Sequence, residues 1–446
     1  MLMRDQQLVA VIVTDPDERP LGIVTERDLV YKIVTTGEIG TPASEIMTSP
    51  LITTTPDVHL YEALYLMMRH RVRRLVVVDG AGRLLGFVSM KDLIRVEGYE
   101  GEVLTSRIGS AQSTTELCRT RTEIDGFIHK LFLGDVDAQS LTEILTDYND
   151  ALTRRLIRLA QQELRPDLRR PAQSFAWVCF GSEGRREQVL RGDQDNGMIV
   201  ADDADTNSLA YYRRLAQEVN EDLDSCGFDL CQGGVMARED RWFGTLTEWK
   251  NRVYRMIHGM EDGELLRDLT IFLDLRAIEG ESRHVGELWD FTIDELGRAP
   301  FAVRALAEDA VAKPVPLNFL GRFQYDKGPD GRKGINVKRY GLLPLMASVK
   351  VLAIEHGIRE TQTAERIRAL RESSALEKES AENLLFANEL FLRLKIQDSL
   401  EQVLHGKDSE YFVYPEEWSE WERQNLKRAF KAVEHLADIL RFHFHL

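Results

Sequence analysis

Two aspartates, Asp193 and Asp195, follow a Gly-Ser pair at Gly181 and Ser182. Residues two apart on an extended segment point to the same face, so these carboxylates would lie side by side. Glycine allows close backbone approach, and a helix that begins there would offer N–H groups to a phosphate. Two carboxylates beside a phosphate site are what Mg²⁺ needs when nucleotide phosphates supply its other ligands. The spacing therefore predicts a site for a magnesium–nucleotide complex.

Asp274 is a candidate for a third carboxylate of this site. It stands within the apolar segment 269–278, which predicts a buried strand. A carboxylate there would be costly unless it met a metal or an arginine. Arg276 lies two residues further on, on the same face of such a strand. The segment thus leaves two interpretations open, a third metal ligand or a structural Asp274–Arg276 pair.

Positive charge is concentrated in two segments. Residues 165–191 hold six arginines against three acidic residues, and residues 318–341 hold six lysines or arginines against two. In a chain with a net charge of −16, these are the places where a triphosphate would find positive charge. For 318–341, a solvent-exposed loop is an equally good interpretation.

The apolar pattern predicts the elements that would position these residues. A buried strand at 175–180, a short polar helix and a second strand at 198–201 surround the Gly-Ser and Asp-x-Asp pairs. Segment 98–165 has a helical apolar stripe and predicts a connector, and helices from about 342 onward predict a bundle. Two tryptophans, Trp242 and Trp249, are expected in the core first and as base-stacking platforms second.

The segment Gly-Ser-x-Gly-Arg-x-Glu, followed by Asp-Gln-Asp-Asn at 193–196, resembles the nucleotidyltransferase signature of the DNA polymerase beta superfamily. It is similar to the transferase domain of the protein-PII uridylyltransferases and to a nucleotidyltransferase-like family found beside CBS domain pairs. Gly192 departs from the pattern, since relatives usually place Thr or Ser there. The resemblance implies that Mg²⁺ is held, and catalysis carried out, by Asp193, Asp195 and Asp274. It implies that the nucleotide-binding residues are Gly181, Ser182, Gly184, Arg185 and Lys338.

An internal repeat occupies the start of the chain. LVAVIVTDPDERPLGIVTERDLV at 8–30 matches VRRLVVVDGAGRLLGFVSMKDLI at 72–94 without a gap, and each copy predicts strand, turn, strand and helix start. The repeat resembles a CBS domain pair, a module that binds adenosine nucleotides. The first copy's opening strand and helix would lie before Met1, which makes its site incomplete. The resemblance places a hydroxyl near phosphate and a carboxylate near ribose in each copy, at Thr25 and Asp28 and at Ser89 and Asp92.

For Asp28 and Asp92, the structural alternative is that each caps the N-terminus of the helix that follows it.

Composition sets outer limits on function. The chain has 446 residues, 43% of them hydrophobic, and its acidity argues against nucleic acid or an acidic membrane as partner. The sequence shows no apolar run long enough to span a bilayer and no signal-peptide pattern, and its four cysteines are too sparse for a disulfide scaffold. We therefore expect a cytoplasmic protein.

The predicted architecture is α/β (α+β) in four parts. These are a CBS pair at 1–97, a helical connector at 98–165, a nucleotidyltransferase-like domain at 166–300 and a helical substrate-binding domain at 301–446. The predicted function is Mg²⁺-dependent transfer of a nucleotide from an NTP to a hydroxyl, on a PII-like protein or a small molecule, in a homodimer regulated by adenine nucleotides. The alternative is a non-catalytic nucleotide sensor. No His-Asp doublet occurs, so a second, uridylyl-removing activity is not expected.

Overall fold

A computed structural model of the chain describes most of the sequence. The residues described are 10–25, 28, 41–58, 63, 66–67, 72, 74–89, 101, 103–134, 136–164, 171–172, 174–190, 192–259, 262–329, 331–406 and 411–446. The chain divides into two compact units, Met1–Val103 with Lys130–Val136 and Leu104–His129 with Asp137–Leu446. Helices and mixed sheets confirm the predicted α/β class. No helix among the described residues is long and apolar enough to cross a membrane.

The first unit contains one β-hairpin twice, as the repeat predicts. Its elements are β1 (Ala10–Thr14), β2 (Pro20–Thr25), α1 (Ala43–Ile46), β3 (Thr53–Thr54), β4 (Arg74–Val78) and β5 (Leu84–Ser89). Ala10 pairs with Thr25 in one hairpin as Arg74 pairs with Ser89 in the other. Both turns begin with an aspartate whose Oδ1 accepts two backbone N–H groups. The two copies therefore share strand register and turn chemistry.

The predicted connector contains two long helices, α2 (Thr114–Leu133) and α3 (Ala138–Glu163), preceded by helical residues at 103–110. The Asp137 side chain caps α3 by accepting the N–H of Ser140. The apolar stripe of α3 is buried, which confirms the helical interpretation.

The part of the chain predicted to be the nucleotidyltransferase-like domain, residues 166–300 and called the transferase part below, contains a four-stranded sheet in the order β8-β7-β6-β9. Strand β6 pairs antiparallel with both neighbours, and β7 pairs parallel with β8. All residues of β6 and β7 are buried, so the strands that flank the Gly-Ser turn form the core. The elements are β6 (Phe175–Cys179), α4 (Gly181–Gly184), β7 (Asn196–Val200), α5 (Thr206–Ser225), β8 (Phe243–Thr245), α6 (Leu246–His258), α7 (Gly263–Phe272), β9 (Arg276–Gly280) and α8 (Ser282–Arg298).

Both tryptophans belong to this core. Trp242 and Trp249 are fully buried beside Phe180, with ring centroids 4.8 and 6.1 Å from its ring. The Trp249 indole N–H donates to the carbonyl of Met198 in β7. Packing, the first of the two predicted roles, is the one that the structure shows.

One disulfide joins α2 to the end of α5, between Cys118 and Cys226, while Cys179 and Cys231 are free. The cysteine count correctly excludes a scaffold of several bridges but does not predict this cross-link. The partners are 108 residues apart, and such a distance leaves no pattern in the sequence.

The C-terminal part is mainly helical, as predicted. Its two longest helices pack together, and the ring centroids of Phe391 and Phe430 lie 5.4 Å apart between them. Its elements are α9 (Pro300–Ala310), β10 (Asp326–Lys327), β11 (Lys333–Asn336), a π-helical turn (Lys338–Leu342), α10 (Leu343–Glu355), α11 (Thr363–Glu372), α12 (Lys378–His405), β12 (Phe412–Val413) and α13 (Glu420–Phe444).

Candidate functional site

Asp193 and Asp195 lie together at the entrance to β7. Their carboxylates and the Cys231 thiol offer three ligand atoms that all lie within 4.8 Å of one another. The carbonyl of Asp195 accepts the N–H of Phe180 at 2.8 Å, which fixes the segment against the end of β6. Gly181 makes this approach possible, because a Cβ there would lie 2.5 Å from Asp195 Oδ2.

Burial raises the pKa of Asp195 to about 7, and the Asp193 carboxylate adds to the rise. The Cys231 thiol donates to Asp195 Oδ1 at 3.5 Å. Two adjacent carboxylates repel each other, and a divalent cation between them removes that repulsion. The pair therefore has the donor chemistry and the charge that suit Mg²⁺, although the nearby sulfur is a softer ligand than this ion prefers.

Asp274 lies in a different environment. It is fully buried, and its carboxylate accepts from three cations: Arg185 Nη1 at 2.5 Å, Lys350 Nζ at 2.7 Å and Arg366 Nη1 at 2.9 Å. Burial alone would raise the pKa of Asp274, but Lys350, Arg185 and Arg366 together lower it to about 2. Asp274 is thus the common anion of a buried ionic cluster.

The local structure around Asp274 differs from the prediction in two respects. Residues up to Phe272 form helix α7, which is capped by the Asp262 side chain, and the strand begins only at Arg276. The Asp274–Arg276 pair, one of the two interpretations left open, is wrong, since Arg276 pairs with Asp150 of α3 at 2.6 Å. The apolar run has helical spacing, with Leu269 and Phe272 buried on one side.

Three residues of the Gly-Arg-x-Glu segment, Gly184, Arg185 and Glu187, connect the transferase part to the C-terminal part. A Cβ on Gly184 would lie 1.9 Å from the carbonyl oxygen of Asp274, so only glycine fits there. Buried Arg185 donates to both Glu187 and Asp274, and Glu187 accepts the N–H of Thr363 at the start of α11. These contacts explain the segment structurally, without a nucleotide.

Two cavities meet at the Gly-Ser turn, with volumes of about 320 and 280 Å³. Both are lined by Ser182, Asp193, Lys338 and Lys395. The smaller cavity also reaches further residues on the sequence-predicted list, namely Gly181, Arg185, Asp195 and Asp274. Buried Gly184 lines neither of the two. The structure thus brings most of the predicted nucleotide-binding residues to one place.

Three cations at this site were not singled out by the sequence prediction: Lys350, Arg366 and Lys395. Each lies in a helix of the C-terminal part and is buried. Lys350 is the only charged residue within the buried stretch of α10, residues 344–354. A lone lysine in an apolar helix is a signal that could have identified it, because a buried ammonium needs a partner.

In the first unit, the Thr25 backbone N–H and hydroxyl both donate to Asp28 Oδ2, at 2.9 and 2.7 Å. The Thr48 hydroxyl donates to the other oxygen of the same carboxylate, Asp28 Oδ1, at 3.0 Å. Ser89 ends β5, and Asp92 lies outside the described residues. These are the local contacts expected of a residue that caps a helix N-terminus. Asp28 is also the residue that the CBS resemblance places near ribose, so its position agrees with both interpretations.

Three family models match the chain. "CBS domain" matches residues 1–35 and 43–98, "Putative nucleotidyltransferase DUF294" matches 122–263, and "Putative nucleotidyltransferase substrate binding domain" matches 300–444. The transferase model includes Asp193 and Asp195 and ends before Asp274.

Among curated proteins, the chain is 40% identical to an uncharacterized protein of Methanopyrus kandleri over 22% of this chain and 50% of that protein. It is 35% identical to an inosine-5'-monophosphate dehydrogenase of Nitrosopumilus maritimus, over 21% of this chain and 19% of the enzyme. The chain thus spans half or less of the length of these two relatives.

Solved structures match a similar share. A protein from Burkholderia ambifaria, described as "a putative signal-transduction protein with CBS domains", is 38% identical, with a TM-score of 0.20, over 21% of this chain and 70% of that one. A CBS domain protein from Pyrobaculum aerophilum, complexed with AMP, is 31% identical, with a TM-score of 0.19, over 20% and 70%. On the three family matches, the chain belongs to the CBS-domain proteins that carry a DUF294 nucleotidyltransferase-type domain and its C-terminal companion domain.

Proposed function

We propose that this protein is a metal-dependent nucleotidyltransferase that moves a nucleoside monophosphate from an NTP to a hydroxyl group. The observation that carries the proposal is the Asp193–Asp195 pair at the entrance to β7, beside the Ser182 hydroxyl and a cavity wall with two lysines. Carboxylates that hold metal, placed next to groups that bind phosphate, are the recurring parts of phosphoryl-transfer sites.

In this proposal Asp193 and Asp195 hold Mg²⁺. The bound metal would supply charge neutralisation at the phosphates and polarise the acceptor hydroxyl. Ser182 lies where it can donate to a phosphate oxygen, while Lys338 and Lys395 offer positive charge. In the transfer, a bond forms between the acceptor oxygen and the α-phosphorus, pyrophosphate leaves with the electron pair of the broken bond, and the hydroxyl proton passes to water.

Asp274 as a third metal ligand is the part of the predicted site that the geometry supports least. Three cations already contact its two oxygens, so a metal there would compete with charges that the protein itself supplies. We assign Asp274 a positioning role, in which it fixes Arg185 and Lys350 at the edge of the smaller cavity.

For the CBS pair we propose regulation by adenine nucleotides. The proposal rests on the family match and on a motif that both copies contain, Gly-apolar-apolar-Thr/Ser-x-x-Asp, at 22–28 and 86–92. If this is correct, AMP or ATP raises the melting temperature of the protein, and Asp92→Ala removes the rise. An unchanged melting temperature in the unmutated protein would remove the regulatory role and leave the transferase proposal untouched.

The rival function is nucleotide binding without turnover. The three ion pairs of Asp274 favour this alternative. If Asp274 is engaged by cations of the protein, Asp193 and Asp195 remain as metal ligands, and the third ligand that the resemblance implies is missing. The acceptor is equally open, and a tyrosine of a PII-like protein, which the uridylyltransferase resemblance suggests together with UTP, is one candidate.

The test is label transfer. The protein is incubated with Mg²⁺, each of the four NTPs labelled at the α-phosphate, and cell lysate. We expect label to pass from one NTP to a protein or small molecule, and Asp193→Asn to abolish the transfer. Tight NTP binding with no transfer from any of the four nucleotides would support the rival function instead.

A further inference from the structure

Lys395 is a buried cation that forms no ion pair with a described residue. It lies in α12 with 7% of its surface exposed, and its ammonium donates to the carbonyl of Glu187 at 3.1 Å. Lys350 is similarly buried but has the Asp274 carboxylate at 2.7 Å as counter-ion. Of these two buried lysines, Lys350 alone forms an ion pair within the part of the chain that the structure describes.

The charges around Lys395 are mixed. Burial lowers the pKa of Lys395 to about 7, and the charges of Lys338 and Arg185 push it in the same direction, while the carboxylates of Glu187 and Asp193 oppose the shift without forming an ion pair. A buried ammonium without a counter-ion is destabilising unless it meets an anion. Lys395 lines both cavities, so an anion from solution can reach it.

Lys338 gives this position a second positive group. Its ammonium lies 4.6 Å from the centroid of the Tyr411 ring, and it forms no ion pair with a described residue. Lys338 and Lys395 come from different elements of the C-terminal part, the π-helical turn and α12, yet line the same two cavities as Asp193. The two cavities thus share two lysines that form no ion pair with a described residue, and one of the two acidic residues proposed to hold metal.

A chain of phosphates is the ligand that suits both the two lysines and the two carboxylates proposed to hold metal. Phosphate oxygens accept charge-assisted hydrogen bonds from ammonium groups, and the same chain shares a metal with carboxylates. A single carboxylate anion carries one negative charge, which balances the charge of only one of the two lysines.

We propose that Lys395, together with Lys338, binds the β- and γ-phosphates of the donor nucleotide and the pyrophosphate product. The phosphate site is then shared between two parts of the chain, with Ser182 from the transferase part and both lysines from the C-terminal part. The proposal rests on the proposed function for the identity of the nucleotide, but anion binding by Lys395 can be measured without any transfer.

The experiment is calorimetric titration of the full chain with sodium pyrophosphate and with tripolyphosphate, in EDTA so that no metal contributes. We expect Lys395→Met to weaken binding at least tenfold and Lys395→Arg to retain most of it. Lys378→Met is the matched control, since Lys378 lies in the same helix with 81% of its side chain exposed and should change nothing.

Folding provides an independent check. Because Lys395→Met removes an unneutralised buried charge and keeps similar volume, the variant should be at least as stable to urea as the original protein. A large loss of stability would instead indicate a structural lysine and would overturn the proposal, as would equal pyrophosphate affinity in Lys395→Met or no binding by the original protein.

The two proposals fail separately. If Lys395 governs pyrophosphate binding but no label transfer is found, the phosphate site stands and the transferase function falls. If transfer occurs and Lys395→Met leaves the KM for the NTP unchanged, the transferase function stands and this inference falls.

Discussion

The sequence predicts the same role for Asp193 and Asp274, yet the structure places them in opposite surroundings. Asp193 is exposed, lies beside the Asp195 carboxylate and has no cation paired with it among the described residues. Asp274 is fully buried and touches three cations. The difference indicates that one acidic group is free to bind something from solution, whereas the other holds the protein's own charges in place.

The largest expected effect is on stability. Asp274→Asn leaves Arg185, Lys350 and Arg366 buried around a neutral amide, and breaking a buried ionic cluster from one side costs about 3–5 kcal/mol. Asp193→Asn changes an exposed group and should alter the free energy of unfolding by no more than about 0.5 kcal/mol. Urea denaturation of both variants measures the difference. Equal stabilities would show that Asp274 does not anchor the cluster.

Two glycines offer a matched pair for the same comparison. Gly184→Ala brings a methyl group against the backbone carbonyl of Asp274, which cannot move aside cheaply, and should cost about 1–3 kcal/mol. Gly181→Ala instead meets the side-chain carboxylate of Asp195 and adds about 1–2 kcal/mol of backbone strain at a φ of 54°.

The diagnostic readout for this pair is metal affinity. Gly181→Ala should weaken Mn²⁺ binding measured by calorimetry, because it displaces a proposed ligand, and Gly184→Ala should affect mainly stability. The opposite assignment, with metal affinity lost only in Gly184→Ala, would place the metal at Asp274.

A smaller effect should be visible in the pH dependence of the metal-free protein. Folding raises the pKa of Asp195 to about 7, so its contribution to stability is present below about 4 and is lost as the pH rises through about 7. Asp195→Asn removes this loss. The variant should therefore gain stability relative to the original protein between pH 5 and pH 8 in EDTA. An identical pH dependence of the two proteins in urea titrations would contradict the raised pKa of Asp195, which we assign to burial first and to the Asp193 carboxylate second.

How far the sequence predicts this molecule depends on whether the signal is local. The hairpin repeat, the buried strands β6 and β7 and the adjacent pair Asp193 and Asp195 follow from short-range patterns, and the structure has them where expected. The segment 269–278 was ambiguous because a short apolar run suits a buried helix as well as a strand. The cap at Asp262 was the local signal that favours a helix there.

The partners of Asp274 could not be predicted, because they are set by contacts between distant segments. Lys350 and Arg366 come from helices that follow Asp274 by 76 and 92 residues, and Arg185 precedes it by 89. Their meeting depends on how the helices of the C-terminal part pack against the end of α7, where Lys350 and Arg366 also donate to the carbonyls of Thr270 and Leu273. The nearby Arg276 was the natural candidate by sequence alone, but the packing of α3 provides it with Asp150 instead.

The most direct test of the central claim is a Mn²⁺ titration followed by electron paramagnetic resonance, in the presence of a non-hydrolysable NTP analogue. We predict that the original protein binds Mn²⁺ and that the nucleotide tightens this binding. Asp193→Asn should weaken the metal affinity at least tenfold without loss of folding. Unchanged Mn²⁺ affinity in a folded Asp193→Asn protein, or no binding by the original protein with any of the four nucleotide analogues, would contradict the account.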